Sequence, residues 1–140
     1  MSYRHDYRNV LMTATAVALN STGVLNQKYF PGYMPEQIRG FWLVNTTTLP
    51  NVSSCVAVLQ RRSLDVATTA TTIATLNPTA TGGVGVMFYT ATLNFEVGPG
   101  DQVEIDITDA ATVAAVGALG MYVSARWETA ANATNAKATT

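Results

Sequence analysis

The feature that most constrains the fold is a tight turn that opens into a strand of unbroken alternation. Gly98, Pro99, Gly100 and Asp101 form the turn sequence, and residues 102–107 read Gln-Val-Glu-Ile-Asp-Ile. Polar and apolar side chains alternate at every position of this segment, which is the pattern of an antiparallel strand with one buried face. The turn and the strand together predict an all-β protein.

Further apolar segments follow at short spacing, separated by turn residues, which favours a sandwich over a fold with crossover helices. The segments predicted as strands are residues 10–19, 24–30, 38–46, the apolar run holding Cys55, 66–76, 84–92, 95–107 with the turn between, and 121–128. Apolar side chains on both faces of 38–46 indicate a central strand or one that faces a partner. The threonine-rich 66–76 is predicted as a weak edge strand, and residues 109–120 are ambiguous.

These segments predict a jelly-roll-like antiparallel β-sandwich of about eight strands with extended N- and C-terminal arms. We expect one domain at residues 10–128, an N-terminal arm at 1–9 and a C-terminal tail at 129–140. A chain of 140 residues buries enough surface for one core without disulfides. Cys55 is accordingly expected to be a buried small hydrophobe.

Charged residues make up 12% of the chain and its formal net charge is −1. This is about half the usual share of charge, so the sequence offers no broad field to attract nucleic acid or a membrane surface. The polar character comes from threonine, asparagine and serine, and a surface of this kind is poor at repelling neighbours. We interpret it as a surface that other protein covers.

The segment from Val10 to Leu19 superficially resembles the apolar part of a secretion signal. Thr13 and Thr15 interrupt it with a period of two, and the apolar stretches fall short of the roughly 20 residues that a membrane span needs. We therefore expect a soluble protein that keeps its N-terminus and is made in the cytoplasm.

Residues for catalysis are scarce. His5 is the only histidine and Cys55 the only cysteine, and His5 lies in the expected arm, far in sequence from Cys55 and Asp106. A Ser-His-Asp or Cys-His arrangement would require that histidine, and zinc would require three or four nitrogen or sulfur ligands. The sequence predicts neither an enzyme nor a cofactor.

Carboxylates cluster around the Gly-Pro-Gly-Asp turn, and oxygen-rich clusters can hold calcium. The calcium candidates are Asp101, Glu104, Asp106 and Asp109. Glu104 and Asp106, however, alternate onto the solvent face of the predicted strand, and the spacing does not match a dedicated calcium loop. We therefore predict no metal.

Tyrosine and arginine are interleaved in the N-terminal arm, and a second basic pair follows the strand of Cys55. Such residues are enriched at protein interfaces, although they also suit stacking on bases. The near-neutral chain favours protein contacts over direct binding of nucleic acid. The residues predicted to contact neighbouring subunits are Tyr3, Arg4, His5, Tyr7, Arg8, Arg61 and Arg62, with Thr129, Asn132, Asn135 and Lys137 in the tail.

Phe41, Trp42, Tyr122 and Trp127 are large aromatic residues on predicted strands whose two faces both look apolar. We interpret them mainly as sandwich core. The alternative is that some of them pack between subunits.

The charge-poor all-β pattern, the aromatic and basic arm, the polar tail and the element from Phe95 to Ile105 together resemble the small cement, or decoration, proteins of tailed-bacteriophage heads. The resemblance implies a jelly-roll-like protein, often trimeric, that binds the outside of an icosahedral shell and staples neighbouring major capsid subunits. The expected localisation is then the capsid exterior of a virion.

The competing interpretation is a receptor- or carbohydrate-binding β-sandwich module of a viral fibre or spike. A sugar site would need an exposed aromatic platform beside polar groups. A cement protein would instead carry its aromatic residues in the core or at subunit joints.

Overall fold

The computed structural model describes residues 4–13, 17–19, 21–32, 34–46, 55–63, 69–77, 85, 87–90, 92–110 and 116–127. In these ranges the chain forms ten β-strands, which confirms the predicted all-β class. The strands are β1 (Arg4–Leu11), β2 (Val17–Ala18), β3 (Gly23–Val24), β4 (Glu36–Asn45), β5 (Val56–Ser63), β6 (Thr71–Leu76), β7 (Met87–Thr90), β8 (Phe95–Val97), β9 (Asp101–Asp109) and β10 (Val116–Trp127). The described residues contain no helical segment that could serve as a membrane span.

The strands form two antiparallel sheets. The six-stranded sheet has the order β1-β10-β4-β7, with β2 also pairing with β10 and β8 also pairing with β4. The four-stranded sheet has the order β3-β9-β5-β6. If β1 and β2 are counted as one strand, and β7 and β8 as another, the sandwich has eight strands. The first of these eight pairs with the eighth, the second with the seventh, the third with the sixth and the fourth with the fifth. This is the connectivity of a jelly roll, as the sequence predicts.

The core lies between the sheets and is built by alternation. In β9, Val103, Ile105 and Ile107 are buried against the opposite sheet, which confirms the pattern read from the sequence. Burying each such aliphatic side chain contributes about 1.5–3 kcal/mol relative to leaving it in water. Cys55 belongs to the same buried cluster, as expected.

A β-bulge in β4 decides which of its side chains enter the core. Tyr122 of β10 pairs with Gly40, whereas the next residue, Val123, pairs with Ile38, so Arg39 has no partner in the ladder. An inserted residue reverses the alternation that follows it. Ile38, Phe41 and Leu43 therefore all lie in the core, and Trp42 points outward.

Strict alternation along residues 38–46 predicts Ile38 and Phe41 on opposite faces of the strand, and this prediction is wrong because of the bulge at Arg39. The central position of the strand is confirmed, since β10 flanks β4 on one side and β7 and β8 on the other. The predicted edge strand is also confirmed, because β6 ends the four-stranded sheet.

The first strand begins earlier than expected. Arg4–Leu11 pairs with β10 along its whole length, so the boundary predicted between residues 9 and 10 falls inside β1. The predicted strand 10–19 is instead shared between the end of β1 and the short β2. The C-terminal tail at 129–140 lies outside the described residues.

The Gly-Pro-Gly-Asp turn forms as predicted. The Asp101 amide donates to the Gly98 carbonyl at 3.0 Å, and the Asp101 carboxylate accepts from the Gly98 amide at 2.9 Å. Gly100 adopts a φ of 87°, which its missing Cβ permits. Proline followed by such a glycine is the sequence signature of a type II turn, here leading into β9.

Residues 23–29 form the edge of the four-stranded sheet beside β9, with one interruption. Val24 pairs with Asp106, the Leu25 amide donates to the Ile105 carbonyl at 2.8 Å, and Tyr29 and Val103 exchange two hydrogen bonds of 2.8 Å. Residues 26–28 are thus looped out opposite the single residue Glu104. We call residues 23–30 the edge segment.

Glu104 points away from the core, as the alternation predicts, but it is buried rather than solvated. One carboxylate oxygen accepts from Lys28 at 3.0 Å and from Gln102 at 2.7 Å. The other accepts from Gln60 at 2.7 Å and from Arg62 at 3.1 and 3.2 Å. The looped-out residues bring Lys28 within reach, so one carboxylate ties the edge segment to β9 and β5.

Burial by itself would raise the pKa of Glu104, because it disfavours the charged form. The hydrogen bonds from Lys28, Gln60, Arg62 and Gln102 outweigh that effect and lower the pKa to about 2 from its usual 4.5. The carboxylate is therefore ionised when folded at all ordinary pH values, and it stabilises the folded state in that form.

We predict that Glu104→Gln lowers the free energy of unfolding at pH 7 by about 2–3 kcal/mol. The neutral amide cannot make the charge-assisted hydrogen bonds that the carboxylate accepts from Lys28 and Arg62. The folded pKa lies below the unfolded one, so this stabilisation is complete above pH 4.5 and disappears as the pH falls towards 2. Urea unfolding of both proteins between pH 7 and 2 measures the difference. Asp106→Asn, on the same face of β9 but outside this cluster, is the control, and a pH-independent gap would contradict the prediction.

Candidate functional site

The six-stranded sheet turns an apolar and aromatic face away from the core. We call it the outer face; its described apolar side chains are Leu11, Trp42, Val44, Met87, Tyr89 and Tyr122. Their placement follows from the register, in which Trp42 of β4 pairs with Tyr89 on one side and Gly120 on the other, and Gly120 in turn pairs with Leu11. Four neighbouring strands thus present one continuous row.

Two glycines make room for the aromatic rings on this face. A Cβ on Gly120 would lie 2.2 Å from the Trp42 indole, so the indole rests directly on the backbone of β10. A Cβ on Gly40 would lie 3.0 Å from the ring of Tyr122. The indole nitrogen of Trp42 donates to the Asn9 side chain at 2.8 Å, which satisfies its polar atom. Trp42 and Tyr122 therefore lean across the sheet towards each other's strands and hold a fixed arrangement.

Several side chains on the outer face remain open to solvent. Tyr89 is 64% exposed, Leu11 53%, Met87 45% and Tyr122 39%. Trp42 is almost buried beneath this layer. Clustered apolar exposure of this kind marks an interaction surface, whereas scattered single residues do not.

One charged group beside the outer face, the Arg39 guanidinium, is partnered within the chain. Arg39, the bulged residue of β4, donates to the Ser124 hydroxyl at 3.2 Å and to the Asn94 side chain at 3.1 Å. Its charge is therefore fixed at the rim by hydrogen bonds within the chain. The face offers hydrocarbon, phenol and amide groups, which suit binding rather than chemical reaction.

A second polar cluster closes the side of the sandwich between β1 and the edge segment. Arg8 of β1 donates to the Tyr29 hydroxyl and to the Glu36 carboxylate, and Tyr29 also donates to Glu36. The Arg8 guanidinium lies 5.7 Å from the centre of the Tyr29 ring. Burial raises the pKa of the Tyr29 hydroxyl, and the hydrogen bond to Glu36 and its negative charge raise it further, although Arg8 opposes them. The hydroxyl therefore stays protonated and able to donate.

Next to this cluster lies a groove of about 250 Å³. Its lining comes from the end of β1 and from the edge segment, and consists of Val10, Leu11, Met12, Gln27, Lys28 and Tyr29. Its lining is mixed: β1 contributes apolar side chains and the edge segment contributes polar ones, of which Lys28 is held by Glu104 and Tyr29 by Glu36. It connects the outer face, through Leu11, to the side of the molecule.

Three of the basic residues predicted to contact neighbouring subunits make contacts within the domain. Arg8 joins the Tyr29 and Glu36 cluster, Arg61 lies 5.3 Å from the centre of the Phe95 ring, and Arg62 binds Glu104. The contact of Arg8, Arg61 and Arg62 with neighbouring subunits therefore stays a prediction.

Of the remaining predicted contact residues, the structure describes only the backbone of three. The backbone of residues 4–7, which holds Arg4, His5 and Tyr7, belongs to β1 and pairs with β10. Tyr3, Thr129, Asn132, Asn135 and Lys137 lie outside the described residues. For these positions the sequence prediction stands untested.

The acidic residues near the turn have separate roles. Asp101 caps the turn and Glu104 is saturated by two cations and two amides. Asp106 pairs with β3 and β5, and Asp109 ends β9 opposite Val56. In the described part of the chain, no three histidine, cysteine or acidic side chains come together in a way that could hold a metal ion.

Of the residues on the outer face, the sequence predicts only Trp42 and Tyr122 as aromatic residues of the core or of a contact between subunits. It does not single out Leu11, Met87 and Tyr89 as exposed apolar residues. Phe41 is core, whereas Tyr122 is exposed on the outer face. The available signal was the alternation of residues 87–90, Met-Phe-Tyr-Thr, in which two large side chains fall on the same face. The exposure of Met87 and Tyr89 depends on the position of β7 at the edge of the sheet beside β4, which the sequence does not determine.

No family model and no curated protein matches the sequence. Among solved structures, the chain is similar to a chain of infectious bursal disease virus, Gx strain, with 11% identity and a TM-score of 0.46 over 88% of this chain and 32% of that one. It is also similar to a chain of the cyanophage Pam1 capsid asymmetric unit, with 18% identity and a TM-score of 0.41 over 86% and 84% of the two chains. A third similarity is to Eiger TNF from S. frugiperda, with 14% identity and a TM-score of 0.38 over 88% and 71%. The chain thus spans about a third of the first of these, and the similarities do not identify a function.

We predict that Gly120→Ala destabilises the fold by about 1–3 kcal/mol, since the new methyl group overlaps the Trp42 indole and the Val10 carbonyl oxygen, 2.7 Å away. Thermal and urea unfolding measure the loss, and a change in near-ultraviolet circular dichroism reports the displaced indole. Gly98→Ala is the matched control, because a Cβ there meets no atom within 4 Å. Equal stability of the two variants would show that Trp42 does not pack on β10.

Proposed function

We propose that the chain is a structural virion protein: a cement protein that binds the outer surface of a capsid and staples neighbouring major capsid subunits. The observation that carries the proposal is the outer face, where exposed Leu11, Met87, Tyr89 and Tyr122 surround the fixed indole of Trp42. Tyrosine, tryptophan and methionine are enriched at protein interfaces, and charged residues are depleted at their centres. The sequence resemblance to cement proteins of phage heads supports the same role.

The physical basis of this function is linkage rather than catalysis. A protein that binds only the assembled shell stabilises the shell by mass action, and this needs neither a cofactor nor a reaction. Many weak contacts repeated over neighbouring subunits add up through their high effective concentration. A rigid sandwich with an apolar face suits such a role, because little conformational freedom is lost on binding.

The proposed partners are the major capsid protein and further copies of this chain, which we propose form a homotrimer. The proposed location is the capsid exterior after synthesis in the host cytoplasm. The N-terminal residues and the tail are proposed to reach neighbouring subunits, with Arg61 and Arg62 as further contacts.

The test is sedimentation of native lysate from cells that make the protein, with detection by a specific antibody. We expect the protein to sediment with particles of capsid size and immunogold to label their outer surface. After release from the particles, the wild-type protein and Thr72→Glu, an exposed substitution on β6 of the other sheet, should bind again. Tyr89→Glu should bind at least tenfold more weakly, since a charge enters a desolvated apolar contact. Protein that stays unsedimented beside assembled particles would exclude the cement function.

A carbohydrate-binding module is the second candidate, because Tyr89 and Tyr122 are exposed aromatic residues on the same face, which also carries amide groups. Asn9 lies next to Tyr122 in the register, and Asn94 is held near the same face by Arg39. Aromatic faces with neighbouring amides are the chemistry that sugars require from a shallow site.

The two candidates predict different ligands for the same face. If the second function applies, an oligosaccharide array should show selective binding that Tyr89→Ala abolishes and Tyr89→Phe, which keeps the ring, largely retains. Absence of sugar binding together with sedimentation on particles would favour the cement function. Selective sugar binding without sedimentation would favour the module.

A further inference from the structure

The bulge of β4 places Arg39 at the rim of the outer face. Its backbone carbonyl accepts from the Leu93 amide at 3.0 Å, and its side chain reaches across to Ser124 of β10. Ser124 and the exposed Tyr122 lie on the same face of β10, since side chains alternate along a strand. Bulges re-aim single side chains in this way. The guanidinium therefore stands beside one of the exposed aromatic residues of the outer face.

Two hydrogen bonds fix the orientation of the Arg39 guanidinium, and both acceptors are neutral. Nε donates to the Ser124 hydroxyl at 3.2 Å, and Nη1 donates to the Asn94 side-chain oxygen at 3.1 Å. Ser124 is only 1% exposed, so the surrounding structure holds that acceptor in place. A planar guanidinium fixed at two nitrogens cannot turn freely, and its remaining donors keep a set direction.

The charge of Arg39 has no carboxylate partner in the described part of the chain. Arg8, Lys28 and Arg62 each bind a carboxylate, whereas Arg39 forms no ion pair with a described acidic residue, including Glu96 of the adjacent β8. Its Nη2 group has no acceptor among the described residues and is not sealed from solvent. These free donors belong to a planar fork of the kind that matches a carboxylate. The rim thus presents an oriented cation without an internal anion.

The neighbours of Arg39 indicate that the matching anion belongs to a protein surface. A partner that covers Tyr122 and Tyr89 removes water from the rim, and a cation left without an anion there would oppose binding. The complementary surface therefore needs apolar side chains with a carboxylate opposite the guanidinium. A nucleic acid would gain nothing from the apolar side chains, and a net charge of −1 offers no field to attract a polyanion.

We infer that Arg39 determines the specificity of the outer face by recognising an aspartate or glutamate side chain flanked by apolar residues on the covered protein. The inference rests on the proposed function, since it names the chemistry of the same contact. A charge pair at the rim of an interface mainly speeds association and makes it dependent on salt, while apolar contacts hold the complex together. Surfaces without the carboxylate are rejected because they leave the guanidinium unpaired.

Rebinding to the capsid-sized particles tests this role with Arg39→Gln and Arg39→Lys. Loss of the charge in Arg39→Gln should slow association about tenfold at low salt and remove most of its dependence on sodium chloride. Arg39→Lys, which keeps the charge, should keep the salt dependence. Thr72→Glu, on β6 of the other sheet, changes the net charge by the same amount as Arg39→Gln and should rebind like the wild type. Circular dichroism and thermal unfolding confirm that each variant folds.

Chemical removal of the partner's carboxylates completes a double-mutant cycle. Carbodiimide coupling of a neutral amine to the particles turns their accessible carboxylates into uncharged amides. The treatment should lower rebinding of the wild type to the level of Arg39→Gln and leave Arg39→Gln nearly unchanged, because both changes remove the same pair. Equal losses for the two proteins would overturn the inference, as would equal rebinding of both to untreated particles.

A peptide array decides the inference if the protein does not sediment with particles. The probes are apolar peptides with one central glutamate, each printed beside the same peptide with glutamine. A preference of the wild type for the glutamate peptides, lost in Arg39→Gln, would support the inference while the cement function is excluded. Without that preference both would be overturned, even if acidic oligosaccharides bind through Arg39. Sedimentation that neither Arg39→Gln nor amidation changes would overturn the inference and leave the cement function intact.

Discussion

The antiparallel pairing of β10 with β4 is the constraint on which the rest of the structure depends. These strands form the middle of the six-stranded sheet, and the other four strands of that sheet attach to one or the other. The bulge at Arg39 lies in this pairing and sends Phe41 into the core and Trp42 outward. Because a strand alternates with a period of two, one extra residue decides the composition of both faces.

The outer face shows how the same pairing serves stability and binding together. Gly120 must approach Trp42 closely, and that contact fixes the indole on which the exposed residues are arranged. Leaving Tyr89 and Met87 open to water forgoes the stabilisation that burial would contribute. A fold that retains such a patch on a rigid support gains a surface that a partner can cover with little loss of conformational entropy.

Two polar clusters hold the edge segment in place, and the cluster around Glu36 also links it to the six-stranded sheet. Glu104 holds Lys28 against the four-stranded sheet, and Glu36 of β4 binds both Tyr29 and Arg8 of β1. Both carboxylates are buried. Glu104 accepts hydrogen bonds from two cations and two amides, and Glu36 from a guanidinium and a hydroxyl. Unpaired, either carboxylate would oppose folding; paired, they fix the side of the sandwich where the edge presents Val24 and Phe30.

The sequence by itself determined the all-β class, the turn at Gly98–Asp101, the buried row of β9, the central position of β4 and the edge position of β6, because alternation and turn chemistry are local. It did not determine the start of β1, the bulge at Arg39 or the burial of Glu104. Glu104 shows the reason most clearly: its alternation marks a solvent-facing position, but Lys28 lies 76 residues away and reaches it only through a looped-out edge. The exposure of Tyr89 was likewise decided by the tertiary structure, since it depends on which strand lies beside β7.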